Sequence, residues 1–140
     1  MIRYLLDTDH ISLLERGHSA VCARVATTPP DQLATSAVTV EEMLRGRLAV
    51  LAQPLDGPAR THAYLKLLET VNFCASASVI QYDSACETEY QRLRSLRVRI
   101  GSQDLRIAST ALAHRLIVIT RNRHDFGRVP GLPMEDWSVQ

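Results

Sequence analysis

The chain has 140 residues with a formal net charge of +1 at pH 7, and 46% of its residues are hydrophobic. This length suits one folded domain, which we expect over residues 1–140, and the composition excludes a disordered chain. The sequence has no apolar run of about 20 residues, as a membrane helix requires, and no signal-like N-terminus. We therefore expect a cytoplasmic protein that does not contact a membrane.

The arginine and cysteine contents leave the binding partners of the chain open. Of the 16 Lys and Arg residues only Lys66 is a lysine. Arginine is suited to two-point contacts with phosphate, although a GC-rich coding bias would produce the same composition. Cys22, Cys74 and Cys86 are scattered without a C-x-x-C pair. This spacing favours reduced thiols over disulfides or zinc ligands.

Apolar runs and helical patterns alternate along the chain. The apolar runs predict strands at residues 2–6, 32–38, 79–82 and 116–120, with a short terminal strand near Trp137. Helices are expected in the intervals, over residues 10–16, 20–28, 39–51, 59–71, 84–99 and 102–113. In the helix over residues 59–71, Leu65, Leu68 and Val71 have the spacing of a core-facing stripe. Their expected N-terminal caps are, in chain order, Thr8 or Asp9, Ser19, Thr39, Asp83 or Ser84, and Ser102. This alternation predicts an α/β fold, a three-layer sandwich around a mainly parallel sheet.

Four acidic residues lie where predicted strands pass into helices or loops. Asp7 follows the first strand, Glu42 and Asp104 lie early in helices, and Asp125 lies in the loop after the fourth strand. Each has a structural reading when it is taken alone. Asp7 could cap a helix, Glu42 could complete a capping box with Thr39, Asp104 could complement a helix dipole, and Asp125 could serve a turn.

Taken together, these acids indicate a metal site. The carboxyl ends of parallel strands meet at one edge of a sheet, where ligands of open α/β sheets bind. Several carboxylates gathered there repel one another unless cations neutralise them. Carboxylate oxygens are ligands for Mg²⁺, with Mn²⁺ as a substitute, and such sites commonly act on phosphates.

Four stretches carry a family resemblance: LLDTDHIS, SAVTVEEMLRG, DLRIASTALAHRLIVITRN and DFGRVPGLPMEDW. In this order and spacing they resemble the motifs of PIN-domain ribonucleases, and in particular the VapC toxins of type II VapBC toxin–antitoxin pairs. The resemblance implies a PIN-like fold and Mg²⁺-dependent cleavage of structured RNA such as tRNA or rRNA. It also implies a VapB-like antitoxin whose tail lies over the acidic site, a homodimer, and a toxin–antitoxin hetero-oligomer.

The family's acids map onto this chain residue by residue. The first three correspond to Asp7, Glu42 and Asp104, and we expect Asp7 and Asp104 to bind Mg²⁺ directly. Glu42 would hold a second ion or act through water. The fourth position departs from the pattern, because many PIN domains have an acid where this chain has Asn122. Asp125 is then the candidate fourth catalytic acid, or the site works with three.

The remaining candidates are threonines and arginines. Thr8 and Thr120, at strand ends, could orient ligands or serve only as strand and cap residues. The segment QRLRSLRVR should turn Leu93, Leu96 and Ile100 to the core. It leaves four arginines partly exposed as a solvated face or an RNA-backbone track, namely Arg92, Arg94, Arg97 and Arg99. Three others should lie nearer the acids and are better candidates for phosphate contact, namely Arg45, Arg121 and Arg123.

Rival functions are weaker. DTDHI approaches the nucleophile motif of haloacid-dehalogenase phosphatases, and receiver domains also have acids at strand ends. Those phosphatases also need a catalytic lysine and a late acidic pair, and receiver domains need a lysine after a late strand. The single lysine, Lys66, lies in the middle of a predicted helix, and the sequence has no Asp-Asp pair. A PIN-fold module that binds RNA or a partner without cutting it is a further alternative, supported by Asn122.

Overall fold

Five short strands form one parallel sheet in the computed structural model, which describes residues 1–139. The strands are β1 (Tyr4–Leu6), β2 (Leu33–Ser36), β3 (Val79–Ile80), β4 (Ile117–Ile119) and β5 (Met134–Glu135). Their order across the sheet is β3-β2-β1-β4-β5, and every neighbouring pair is parallel. The strand β1, which Asp7 directly follows, therefore lies at the centre of the sheet.

Seven helices connect the strands. They are α1 (Thr8–Glu15), α2 (Ser19–Thr27), α3 (Ala37–Leu51), α4 (Gly57–Ser76), α5 (Ser84–Ser95), α6 (Ser102–His114) and α7 (Arg123–Phe126). The predicted α/β class and parallel sheet are thus confirmed. Within residues 1–139, none of these helices combines the length and apolarity that a membrane crossing demands.

Side chains of the central strands alternate between two apolar clusters, one on each face of the sheet. Leu5 and Val118 belong to the cluster that includes Leu93 of α5 and Ile107 of α6. Tyr4, Leu6 and Ile119 belong to the opposite cluster, with Ile11, Met43 and Trp137. Because successive side chains of a strand point to opposite faces, this alternation requires helices on both sides of the sheet.

The helix α4 differs from its prediction. It runs from Gly57, capped by Asp56, to Ser76, and its buried residues are Ala63 and Thr70. Leu65, Leu68 and Val71, predicted to face the core, are 52%, 58% and 45% exposed. The prediction of a buried apolar stripe is therefore wrong. The helix packs mainly against α3 rather than the sheet.

The helix α5 ends four residues before the predicted boundary. Val98 N–H donates to Leu93 O (3.2 Å) and Arg97 N–H donates to Arg94 O (2.9 Å), which is the Schellman pattern of helix termination. Arg97 takes the left-handed conformation at φ 59° that this motif requires. Leu93 is buried as predicted, whereas Leu96 is 54% exposed and so does not face the core. Residues 97–100 therefore form a loop between α5 and α6.

Replacement of Leu93 by alanine tests this assignment of the core. Leu93 is fully buried, so Leu93→Ala should lower the free energy of unfolding by about 2–5 kcal/mol. The control Leu96→Ala, at an exposed position one turn later, should change it by no more than about 0.5 kcal/mol. Urea unfolding followed by circular dichroism measures both. Equal losses in the two variants would contradict the termination of α5 described above.

Candidate active site

Asp7 lies directly after β1, at the carboxyl edge of the sheet. Its backbone N–H donates to Ile119 O (3.1 Å), and its carboxylate is 4% exposed. Asp7 itself is the N-cap of α1, because its Oδ1 accepts the His10 N–H at 2.8 Å. The prediction that Thr8 or Asp9 caps this helix is therefore wrong. Capping uses one carboxylate oxygen of Asp7 and leaves Oδ2 for a ligand.

Glu42 approaches Asp7 from α3. This helix begins at Ala37, and its N-cap is Ser36, whose Oγ accepts the Thr39 N–H at 3.1 Å. The predicted capping box between Thr39 and Glu42 is therefore wrong, because Thr39 already lies in the first turn. Glu42 Oε1 instead accepts the hydroxyl proton of Thr8 at 2.6 Å. This bond ties Glu42 to the residue next to Asp7.

Asp104 approaches from the opposite side, in the first turn of α6. The N-cap of α6 is Gly101 rather than the predicted Ser102, and it makes no side-chain capping bond. Burial and the nearby carboxylates of Glu42, Asp7 and Asp125 raise the pKa of Asp104 to about 6. A helix N-terminus alone would favour the charged form. Burial and carboxylate crowding therefore act on Asp104 in the direction opposite to the helix dipole.

The three acids share one cleft with a volume of about 560 Å³. Its lining residues are Asp7, Thr8, Asp9, Ser12, Glu42, Asp104, Arg121, Asn122 and Phe126. The donors are carboxylate, hydroxyl and amide oxygens, and no Cys or His of the described residues lines it. Hard oxygen donors of this kind match Mg²⁺ and Mn²⁺ better than zinc or copper. The residues present therefore fit a magnesium ion.

Asp125 lies beside this cleft in α7 but does not line it. Asn122 is the N-cap of α7, with Oδ1 accepting the Asp125 N–H at 3.2 Å. The Asn122 Nδ2 donates to Asp125 Oδ2 at 3.1 Å. Asn122 therefore faces the cleft, while Asp125 acts on Asp104 through its charge. Thr120 is buried, and its Oγ1 accepts the Asn122 N–H at 2.9 Å, which holds this loop in place.

Three lining residues were not identified as site residues from the sequence, namely Asp9, Ser12 and Phe126. Asp9 forms a two-point ion pair with Arg121, at 2.6 and 2.9 Å, across the rim of the cleft. These bonds raise the pKa of Arg121 above its ordinary value. Ser12 lies four residues after Thr8 on α1, so both side chains share one helix face. This spacing from Thr8 could have identified Ser12 as a lining residue from the sequence.

A second group of potential metal ligands lies at the other end of α6. It comprises Asp83, Cys86 and His114. His114 is ten residues from Asp104, about 15 Å along the helix. Asp83 caps α5 through the Cys86 N–H (3.0 Å) and pairs with His114 (3.1 Å), while burial raises the pKa of the Cys86 thiol. These groups already have protein partners, and we assign them a structural role.

Comparisons of the sequence with known proteins all point to the same family. A model of the PIN domain matches residues 4–132. A protein of Shigella flexneri named tRNA(fMet)-specific endonuclease VapC is 28% identical over 99% of this chain and 100% of its own length. A protein of Rickettsia bellii named ribonuclease VapC is 30% identical and covers 91% of each chain.

Solved structures share the fold. The DNA-bound VapBC complex of Salmonella typhimurium contains a chain with a TM-score of 0.81 and 23% identity, covering 98% of this chain and 99% of that one. The VapBC-1 complex of nontypeable Haemophilus influenzae contains one with a TM-score of 0.78 and 25% identity, covering 99% and 100%. The match extends over the whole parallel sheet and its helices.

The raised pKa of Asp104 predicts a pH-dependent cost in stability. The pKa of Asp104 is about 6 in the folded chain, whereas the ordinary pKa of an aspartate side chain is 3.8. The stabilising contribution is therefore present below about pH 4 and is lost as the pH rises through 6. In EDTA, Asp104→Asn should be more stable than the wild type at pH 8, and the difference should vanish near pH 4. Urea unfolding at both pH values measures it.

The exposed acid Asp31 supplies the control for this experiment. Asp31→Asn should shift the free energy of unfolding by no more than about 0.5 kcal/mol at pH 8. A destabilised Asp104→Asn protein at pH 8 would show that the carboxylates do not repel one another in the folded state.

Proposed function

Because the chain belongs to the PIN-domain family, and within it to the VapC ribonucleases, we propose that it is a Mg²⁺-dependent endoribonuclease whose metal ligands are Asp7, Glu42 and Asp104. It is the toxin of a VapBC toxin–antitoxin pair, and its protein partner is a VapB antitoxin. The observation that supports the metal site is the meeting of three carboxylates, from three separate elements, in one cleft. The raised pKa of Asp104 indicates a site that favours added positive charge.

The chain's own residues divide the work in this proposal. Asp7, through Oδ2, and Asp104 would hold the cation, and the Thr8 hydroxyl fixes Glu42 through a hydrogen bond. When bound, Mg²⁺ supplies positive charge for the phosphate oxygens and lowers the pKa of water. At pH values above 6 Asp104 is ionised and ready to bind metal, whereas below that value a proton competes. Asp125 supports the site from outside through Asn122 and through its charge.

A basic surface beside the cleft is the proposed contact for the RNA backbone. Nine exposed arginines have no carboxylate within ion-pair distance among residues 1–139. Five of them lie on α5, on α7, or in the segments that follow these two helices, namely Arg94, Arg97, Arg99, Arg123 and Arg128. Arg45, Arg92 and Arg121, by contrast, pair with Glu41, Glu89 and Asp9. Unpaired guanidinium groups are available to phosphates without first breaking an ion pair.

The position of this basic surface would allow a bound RNA strand to enter the cleft. Arg128 Nη1 donates to Arg99 O at 2.9 Å, which joins the end of α7 to the loop before α6. That loop leads directly into the helix turn that carries Asp104. A groove along it is lined by Arg94, Arg97, Arg99 and Ser102. RNA bound along this groove would therefore reach the carboxylates.

The substrate and the assembly follow from the family in this proposal. The Shigella relative is named for its action on tRNA(fMet), so initiator tRNA is the first substrate to test, with other structured tRNA and rRNA after it. The toxin forms a homodimer, and the antitoxin tail covers the acidic cleft in a hetero-oligomer. A module that binds RNA without cutting it is the second candidate, favoured by a neutral Asn122 in the cleft.

The purified, antitoxin-free protein should cut initiator tRNA or another RNA in a total cellular extract with Mg²⁺ or Mn²⁺, but not with EDTA. Asp7→Asn, Glu42→Gln and Asp104→Asn should each slow cleavage by about 10²-fold or more, which corresponds to about 2.7 kcal/mol of transition-state stabilisation. Glu41→Gln changes the neighbouring exposed acid and should leave the rate unchanged. No cleavage by the folded protein under either metal would favour the non-catalytic module.

Binding of RNA in EDTA tests the basic surface separately from cleavage. Arg97→Gln with Arg99→Gln should weaken tRNA binding and reduce the dependence of log Kd on log salt concentration by about 1.5, because two phosphate contacts are lost. The control pair Arg60→Gln with Arg115→Gln removes the same charge from exposed positions outside this surface and should keep the salt dependence. Fluorescence anisotropy over a salt series measures both, and equal effects would place the RNA on another face.

A further inference from the structure

His10 is a fully buried histidine that neither the metal site nor the RNA surface uses. It lies on α1 three residues after Asp7, with 0% exposure. Its Nε2 accepts the backbone N–H of Trp137 at 3.3 Å. Its Nδ1 is a buried side-chain atom without a hydrogen-bond partner within the described part of the chain. An unpaired polar atom in this position is costly, so its retention calls for a physical reason.

The bond to Trp137 determines which ring nitrogen carries the proton. A nitrogen that accepts a hydrogen bond has its lone pair free, so in a neutral ring the proton lies on Nδ1. The acidic group nearest to Nδ1 is Asp7, whose Oδ1 lies 3.3 Å away. Asp136 Oδ1 lies 3.6 Å from Nε2, but it already accepts the Ser138 N–H at 2.8 Å and the Ser138 hydroxyl at 2.6 Å.

Two groups of His10 therefore converge on the same oxygen of Asp7. Its backbone N–H donates to Oδ1 at 2.8 Å, and the Nδ1 proton lies beside that oxygen. Oδ2 is left for the cleft. Partners of this kind, placed behind a ligating side chain, fix its orientation.

We propose that His10 is the positioning residue of the site: its Nδ1–H group, 3.3 Å from Asp7 Oδ1, attracts that oxygen electrostatically without an aligned hydrogen bond, so that Oδ2 points into the cleft. The inference rests on the proposed function in one respect, namely that Asp7 is a metal ligand. The ring is in turn fixed by the C-terminal segment. Trp137 is buried, packs edge-on against Tyr4 at 5.0 Å, and donates from Nε1 to Glu135 Oε1 at 2.9 Å. The end of the chain thereby sets the orientation of a carboxylate near its beginning.

Two amide substitutions separate this role from simple structural support. Asparagine can place an N–H where Nδ1 lies, next to Asp7, whereas glutamine can place an oxygen where Nε2 lies, next to the Trp137 N–H. His10→Asn should keep Mn²⁺ affinity within about threefold of the wild type, and His10→Gln should lower it by about 10- to 100-fold. Isothermal titration calorimetry on the full chain measures these affinities, and thermal denaturation reports the stability of each variant.

The opposite ranking would overturn the proposal. If His10 serves only to support Trp137, glutamine should keep the metal affinity and asparagine should lose it. Unchanged affinity in both variants would also overturn it, since the ring would then do nothing for Asp7. The control Asp7→Asn tests the proposed function itself, because normal Mn²⁺ binding in that variant would remove Asp7 from the metal site.

A measurement on the unmodified protein keeps the test valid if the variants fold poorly. Nitrogen-15 NMR of the histidine rings, in EDTA at pH 7.5, distinguishes the two neutral tautomers. We expect the His10 resonances of the Nδ1–H form. The Nε2–H form would leave no proton to hold Asp7 and would overturn the proposal, whatever the metal-binding experiments show.

Discussion

The parallel pairing of β1 with two neighbours is the constraint on which the site depends. At the end of this strand, the Asp7 N–H donates to Ile119 O of β4 (3.1 Å) and the Thr35 hydroxyl of β2 donates to Leu6 O (2.9 Å). Hydrogen bonds from both neighbouring strands thereby fix the C-terminal end of β1. Asp7 consequently emerges at a defined place on the carboxyl edge, where α3 and α6 bring their acids.

The carboxylates that suit the cleft for a metal ion also lower the stability of the metal-free protein. Burial and crowding raise the pKa of Asp104, so the metal-free cleft stores repulsion when its carboxylates are ionised. The sheet tolerates that cost because both of its faces are covered by apolar clusters centred on Leu5, Val118 and Ile119. Under the proposed function a bound cation would remove this repulsion, which would link cation binding to folding stability. The basic surface beside the cleft adds charge of the opposite sign without neutralising the acids directly.

Local rules predicted the elements better than they predicted their caps. Asp7, Ser36 and Gly101 cap the helices that carry the acids, whereas the sequence indicated Thr8 or Asp9, Thr39 and Ser102. The reason is that several adjacent residues could cap equally well. Which one does so depends on where the preceding strand ends. The same limit explains α4, because an apolar stripe does not show whether a sheet, another helix or solvent lies next to it.

The sequence by itself determined the strand–helix alternation, the parallel sheet and the family, since apolar periodicity and motif spacing are local properties of the chain. It also singled out Asp7 and Glu42, because acids after strands gather at one edge in any parallel sheet. Asp104 follows a helix and a loop rather than a strand, and the family resemblance identified it. Only the tertiary structure decided that Asn122 faces the cleft while Asp125 lies behind it, and that His10 stands between Asp7 and Trp137. Those relations join residues on different elements, up to 127 positions apart, and depend on side-chain directions that only packing decides.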